Sequence, residues 1–293
     1  MGTRCAVELW AADRRQGEAA MEAVLADMRR IDALMSTYKP DSEVSRVNDG
    51  AGKAPVPVSV ELFELLETAQ QYSALSSGAF DITYASVGYL YDYRAHQRPD
   101  GKAIAAALAT VDYRQLRLDR SRRTVAFGKP GMRIDLGGIA KGHAVDRGIQ
   151  ILKDLGFTHA MVNAGGDTRV SGDRFGKPWV VGIRHPDRKD EVALRVPLED
   201  AAFSTSGDYE RFFDEGGVRY HHILDPRTGL SPHEVRSVTV IASSATRTDG
   251  LTKTVFILGP KAGLEFINSL SDADAIIIAA DGKVSYSKGL QPP

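Results

Sequence analysis

Six short stretches carry residue types and spacings that suit chemistry better than packing. The richest is Arg219–Pro232, RYHHILDPRTGLSP, which holds two adjacent histidines, an acid, two prolines and a glycine. If this segment is extended, His221 and His222 point to opposite sides, so one can face a site while the other packs. Asp225-Pro226 and Thr228-Gly229 are turn chemistry, so the chain should leave a strand here and reverse. Imidazole is the natural candidate for moving a proton near neutral pH, although a single histidine is more often structural.

The second stretch, Ile134–Gly142 (IDLGGIAKG), puts a strand end, two glycines and then Lys141 at the start of a helix. Bare backbone N–H groups, a positive helix end and an ammonium suit a phosphate. The same residues also make a tight strand-to-helix turn with a surface lysine. The stretch is not a Walker A loop, because no Ser or Thr follows the Lys. Val162–Asp167 (VNAGGD) has paired glycines that permit close approach to a ligand or another chain segment, or a plain hairpin turn. Phe203–Arg211 (FSTSGDYER) reads as a phosphate or ribose loop or as a polar turn. In Thr246–Gly259, Asp249 and Lys253 sit four apart on one helix face, as an ion pair in solvent or as charges aimed at a ligand. The last stretch is Gly78–Thr83, GAFDIT.

The elements that must position these groups follow from periodicity. Ala6–Trp10 alternates as a strand, and Gly17–Leu34 has the apolar spacing of a core-facing helix. Val60–Leu75 is a second helix with Ser59 as N-cap, and Gly138–Leu155 a third, closed by Gly156. Thr248–Leu258 and Lys261–Leu270 read as two more. Strand-like runs are Ala160–Val162, Trp179–Arg184, Val192–Val196, Val238–Ala242 and Ala275–Ala280, with a turn at Asp281-Gly282. Several strands follow one another without a helix between them. The expected class is therefore α+β, with mixed or antiparallel sheets flanked by helices, rather than a doubly wound parallel fold.

The chain has 293 residues, 43% apolar and 26% charged, with a net charge of −1. That balance is globular and gives no global attraction to nucleic acid or to an anionic surface. No apolar run is long enough to span a bilayer as a helix. With one cysteine, Cys5, an internal disulfide and a Cys-built zinc site are both excluded. A Rossmann dehydrogenase is disfavoured, because no G-x-G-x-x-G follows an early strand.

In order along the chain, these stretches resemble the ApbE-type flavin transferases (FAD:protein FMN transferases), nearly end to end. Met1-Gly2-Thr3 looks like the family's M-G-T, and Met35–Asn48 (MSTYKPDSEVSRVN) like its serine-rich segment. Gly78–Thr83 resembles G-A-F-D-[IP]-T, and Asp135–Gly142 resembles D-L-G-[GA]-I-A-K-G. Asn163–Asp167 resembles N-x-G-G-D, Thr205–Tyr209 resembles T-S-G-D-Y, and His222–Gly229 resembles H-I-x-D-P-x-T-G. The resemblance implies one domain over residues 1–293, built of two intertwined α+β parts with an FAD cleft between them. It implies cleavage of the FAD pyrophosphate and transfer of FMN to a target threonine, with release of AMP. Hydrolysis of FAD to FMN and AMP, or flavin binding without catalysis, are the alternatives. The implied target carries an S/D-G-A-T type motif, as in membrane-anchored respiratory redox subunits, and no nucleic acid is involved. The implied compartment is the periplasm, behind a removed leader and with a possible inner-membrane anchor. If Met1 is simply the initiator, a cytoplasmic protein is equally consistent.

The resemblance also carries roles. His222 is the implied base for the acceptor hydroxyl, with His221 as the weaker twin. Lys141 would face the charge that develops on the phosphates. FAD contacts are implied for Met1, Tyr38, Ala79, Phe80, Asp81, Asp135, Gly137, Gly138, Lys141, Asn163, Gly165, Gly166, Asp167, Thr205, Ser206, Gly207, His222 and Lys253. Magnesium is implied on the Gly138 carbonyl, Asp249 and a threonine four residues on. At that last position this chain has Lys253, whose ammonium cannot coordinate a metal. Either Lys253 supplies the ion's charge, or Thr252 or Thr254 shifts in. The second is disfavoured, because helix neighbours point about 100° apart.

Overall fold

The structure is a computed structural model, described here for residues 2–186, 188 and 191–291. Met1, expected at the flavin, lies outside the described residues. Strand β1 (Cys5–Leu9) leads into helices α1 (Arg14–Met35) and α2 (Glu43–Gly50). Strand β2 (Val56–Pro57) precedes α3 (Val60–Leu75), α4 (Ala85–Gly88), α5 (Gly101–Leu108), and the hairpin β3 (Leu116–Asp119) and β4 (Thr124–Phe127). After α6 (Ala140–Asp154) come β5 (Ala160–Ala164), β6 (Asp167–Ser171), β7 (Trp179–Arg184), β8 (Val192–Leu198), β9 (Ala202–Gly207), β10 (Phe212–Glu215) and β11 (Val218–His221). Strand β12 (Val235–Ala242), helix α7 (Ala245–Asn268), β13 (Ala273–Ala279) and β14 (Val284–Tyr286) follow, then a short 3-10 turn at Lys288–Leu290.

The main sheet has seven strands in the order β1-β5-β6-β9-β12-β13-β14, and every neighbouring pair in it is antiparallel. Smaller sheets pair β10 with β11, β7 with β8, and β2-β4-β3. The class is α+β with antiparallel sheets, as the uninterrupted runs of strands imply. Helix α6 covers the β5–β6 end of the main sheet, α7 covers β9, β12 and β13, and α1 packs on α6.

Local sequence explains each of these helices. In α1, Gly17, Ala20, Val24, Met28, Ile31 and Met35 are buried at three- and four-residue spacing, and the Asp13 side chain accepts from Gln16 N at the start. Helix α3 has the bounds its apolar pattern implies, with Ser59 Oγ accepting from Leu62 N. Helix α7 joins the two expected helices into one element kinked at Gly259 (φ 81°, ψ 177°), followed by Pro260. That φ suits glycine, and the proline removes a backbone donor, so the helical ladder breaks there. The first part of α7 starts at Ala245, three residues earlier than Thr248.

One segment differs from expectation. Phe203–Arg211 is not a loop at its start, because Ala202–Gly207 is β9, in the middle of the main sheet. Its hydroxyls made it look exposed. They are paired instead: Ser204 with Thr248 (2.7 Å), Thr205 with Thr239 (2.8 Å) and Ser206 with Thr252 (3.0 Å). Hydroxyl pairing lets a polar strand lie under a helix without an unmet hydrogen bond.

Candidate active site

The N-terminal ends of α6 and α7 meet, and each helix caps the other. Helix α6 begins after Ile139 with no side-chain cap of its own. Its Gly142 N–H donates instead to Asp249 Oδ2 of α7, at 3.1 Å. In return, Asp146 of α6 accepts from Ala245 N (2.8 Å), Thr246 N (2.8 Å) and Thr246 Oγ1 (2.6 Å) at the start of α7. Carboxylates placed at helix N-termini satisfy orphan N–H groups and complement the helix dipole. Glycine is required at 142, because a Cβ there would lie 2.2 Å from Ala245 O.

This junction gathers four charges. Asp249 is fully buried and Asp167, the first residue of β6, is 2% exposed. Lys141 Nζ lies 2.7 Å from Asp167 Oδ2 and 3.3 Å from Asp249 Oδ1. Lys253 Nζ, one turn beyond Asp249, pairs with Asp249 Oδ1. The aliphatic stem of Lys253 runs past Gly138, and the Phe80 ring flanks that glycine from another side. Two carboxylates and two ammoniums balance one another. Burial works against the Lys141 ammonium, but Asp167 and Asp249 outweigh it and hold its pKa above the ordinary lysine value. Burial also works against ionised Asp249, and Lys141 and Lys253 outweigh it to keep this carboxyl low. Asp167 is pushed up, by burial first and then by the nearby Asp249.

The two histidines separate as strand geometry requires. His221 is 1% exposed. Its Nε2 lies 2.8 Å from Pro232 O, and its ring meets Phe256 edge-on at 5.5 Å. His222 follows β11, and its Nδ1, like that of His221, is buried without a hydrogen-bond partner. Burial first, then the neighbouring His221 and the positive charges of Arg211, Lys253 and Lys141, press its pKa down to about 3. His222 is therefore a neutral imidazole within electrostatic reach of the lysine pair.

The other expected site residues divide by what their side chains do. Asp81 is buried and accepts from Thr83 N, Thr83 Oγ1 and Tyr113 N, so it holds its own turn. Asp135 accepts from Thr37 Oγ1 (3.0 Å) and Gly137 N (2.7 Å). Asn163 Nδ2 ties together Gly165 O, Asp167 O and Thr168 Oγ1 across the β5–β6 hairpin. The paired glycines serve close packing of chain on chain: a Cβ on Gly165 would meet Thr3 Oγ1 at 2.5 Å, and one on Gly166 would meet Thr205 O at 2.5 Å. The side chains of Ala79 and Phe80 are core, at 1% and 4% exposure. A Cβ on Gly207 would meet the Tyr209 ring. Tyr38 stands out at 86% exposure. The anion at the α6 N-terminus, expected to be a ligand phosphate, is Asp249 of the chain itself. Asp146, and Tyr84, whose hydroxyl donates to Asp135 Oδ1 at 3.4 Å, lie outside the motifs read from sequence. They sit inside ordinary helical or polar patterns and gain partners only through packing.

The residues present do not fit a divalent ion at Asp249. Both of its oxygens are engaged, Oδ2 by Gly142 N and Lys141, Oδ1 by Lys141 and Lys253. At about 4 Å and an effective dielectric of about 20, each ammonium would repel such an ion by roughly 8 kcal/mol. Neither neighbouring threonine is placed to help. Thr252 Oγ1 bonds Asp249 O at 2.8 Å, Thr254 Oγ1 bonds Gly250 O at 3.2 Å, and both residues are fully buried. Among the described residues, no group of three or more His, Cys, Asp or Glu side chains could hold a metal.

A fixed cationic pair beside a neutral imidazole, at paired helix ends under an antiparallel sheet, is an arrangement for an enzyme acting on a phosphate-bearing substrate. The ApbE family profile matches residues 1–277, and the chain belongs to that family. It is 34% identical over 99% of its length to the FAD:protein FMN transferase of Treponema pallidum, of which it covers 85%. Among solved structures it resembles the ApbE protein of Thermotoga maritima (TM-score 0.91, 36% identity, 98% of this chain and 94% of that one). It also resembles the flavinyl transferase ApbE of Pseudomonas stutzeri in its apo form (TM-score 0.87, 31% identity, 98% and 92%).

Proposed function

We propose that this protein is an FAD:protein FMN transferase, taking FMN from FAD and placing it on a target protein with release of AMP. The observation that carries this reading is the match of 99% of the chain to a relative of that name. The acceptor is a threonine hydroxyl in an S/D-G-A-T type motif of a respiratory redox subunit, and the compartment is the periplasm. Both of these rest on the family resemblance.

The chain's own groups supply the steps. A threonine hydroxyl is a weak nucleophile and needs a base. His222, a neutral imidazole whose buried Nδ1 has no hydrogen-bond partner, takes its proton. The threonine oxygen bonds to the phosphorus of the FMN half. The P–O bond to the AMP half breaks, and AMP leaves with the bridging oxygen and its electron pair. The negative charge gathering on the phosphoryl oxygens and the leaving group faces Lys141 and Lys253. Both are held rigid by buried carboxylates, so little reorganisation is needed as charge develops. Magnesium, expected from the resemblance, takes no step here, because Asp249 is already engaged by ammoniums.

The test is to mix the protein with FAD and a domain carrying an S-G-A-T motif and to weigh the acceptor. A gain equal to FMN on the threonine is the expected result. AMP without acceptor gain would make the protein an FAD pyrophosphatase. FAD binding without AMP would make it a flavin carrier.

A further inference from the structure

We infer that Lys253 is a built-in cation that does the work of a divalent metal, so that this chain cleaves FAD without one. The inference rests on the transferase reading and specifies how its site is charged.

Three observations carry it. First, the Lys253 ammonium is seated directly on Asp249, a fully buried carboxylate. A carboxylate in that setting must have a cation, and here the chain supplies two. Second, the position is held from several sides. The Lys253 stem packs along Gly138, and its Nζ also reaches Thr252 Oγ1 at 3.3 Å. Thr252 is in turn fixed by Ser206 and by its own helix. The ammonium is thus pre-placed rather than waving from the surface, with its side chain 17% exposed. Third, the charges close. Asp167 and Asp249 are met by Lys141 and Lys253, so before substrate binds an added divalent ion would leave the cluster with a surplus of two positive charges. A lysine brings one positive charge and three N–H donors to a pyrophosphate without needing an open coordination site.

Two readouts test this, one of them independent of activity. In the first, Mn²⁺ is titrated into the native protein and into Lys253→Thr, with and without FAD, and bound metal is followed by electron paramagnetic resonance. The native protein should show no stoichiometric Mn²⁺. Lys253→Thr, with Asp249 relieved of one ammonium and a hydroxyl one turn on, should gain a site. In the second, FMN transfer by the native protein is timed in EDTA and in Mg²⁺. The two rates should agree within about twofold, whereas Lys253→Thr should fall at least about tenfold in EDTA and recover in Mg²⁺. Stoichiometric Mn²⁺ on the native protein, or loss of its transfer in EDTA restored by Mg²⁺, would overturn the inference. The native measurements decide it even if the variant does not fold. If neither transfer nor AMP release occurs under any metal condition, the transferase reading fails, and Mn²⁺ binding still decides the cation question.

Discussion

Asp146 and Asp249 lie on different helices, and each closes the N-terminus of the helix that carries the other. Asp146 therefore positions the site without touching it, since the start of α7 that it holds also carries Asp249 and Lys253. Asp146→Ala leaves the Ala245 and Thr246 N–H groups and the Arg169 guanidinium without their acceptor. A loss of about 2–3 kcal/mol is expected. Urea denaturation measures it. FMN transfer by the folded fraction should also fall, with Asp146→Asn, which keeps one acceptor oxygen, in between.

Lys141 bridges both buried acids, so its removal should be felt in folding as well as in rate. Lys141→Met leaves Asp167 without its 2.7 Å partner, while Asp249 keeps Lys253. A loss of roughly 3 kcal/mol is expected, with Asp167 taking up a proton instead. Adding Asp167→Asn removes the carboxyl that must be protonated and should restore much of the stability but none of the transfer. A double-mutant cycle in urea gives the coupling, and additive losses would show that the two residues act independently.

The adjacent histidines should fail differently. His222→Ala should lower transfer by about 10²–10⁴-fold, the usual range for a lost general base, while flavin titration still shows FAD binding. His221→Ala should mainly destabilise, because it removes a buried ring from against Phe256 and a contact to Pro232 O. Comparable loss of transfer from a well-folded His221→Ala would reverse the assignment.

Acid should destabilise the native state earlier than carboxylate protonation alone would. Burial presses His221 down to about 4, and burial with nearby charge presses His222 to about 3. Unfolded histidine titrates near 6.5. Below about pH 6.5 the unfolded chain therefore binds more protons than the native one. The stability these rings contribute is complete above that pH and is lost as pH falls toward their native values. From pH 6.5 to 5 the loss from His221 should approach about 2 kcal/mol. Thermal melts across that range check this, and His221→Gln should flatten the curve by a similar amount.

Gly142→Ala should separate the two helix ends. Its Cβ would press on Ala245 O, a backbone atom that cannot swing away. A loss of about 3 kcal/mol, the upper end of the usual range for overpacking, is expected. Gly156→Ala makes a contrasting control. Nothing lies near its Cβ, but its φ of +86° strains any other residue, so a smaller loss of about 1 kcal/mol is expected.

Much of the fold can be read from residue order. The bounds of α3 and β7 coincide with their apolar patterns, and Ser59, Gly156 and Gly282 punctuate where their chemistry says they should. What misleads is polarity inside the core. Strand β9 looked like a loop because its serines and threonines are ordinarily exposed, and only their partners on β12 and α7 make them buried. Helix α2 and the β2-β4-β3 sheet are short, with too few apolar positions for periodicity to reveal them.

By itself the sequence determined the family, the α+β class and the residue types available for the site, because these depend on local pattern and motif order. It also showed that a lysine stands at position 253. Tertiary structure alone decided what that lysine does. The partners of Asp249 come from residues 107 and 108 positions away on α6, as well as from its own helix. Whether a carboxylate is open to a metal or closed by ammoniums depends on burial and on neighbours brought in by folding. The same holds for His221 and His222, which are adjacent in sequence. Only the packing of Phe256 and Pro232 against one of them sets the two apart.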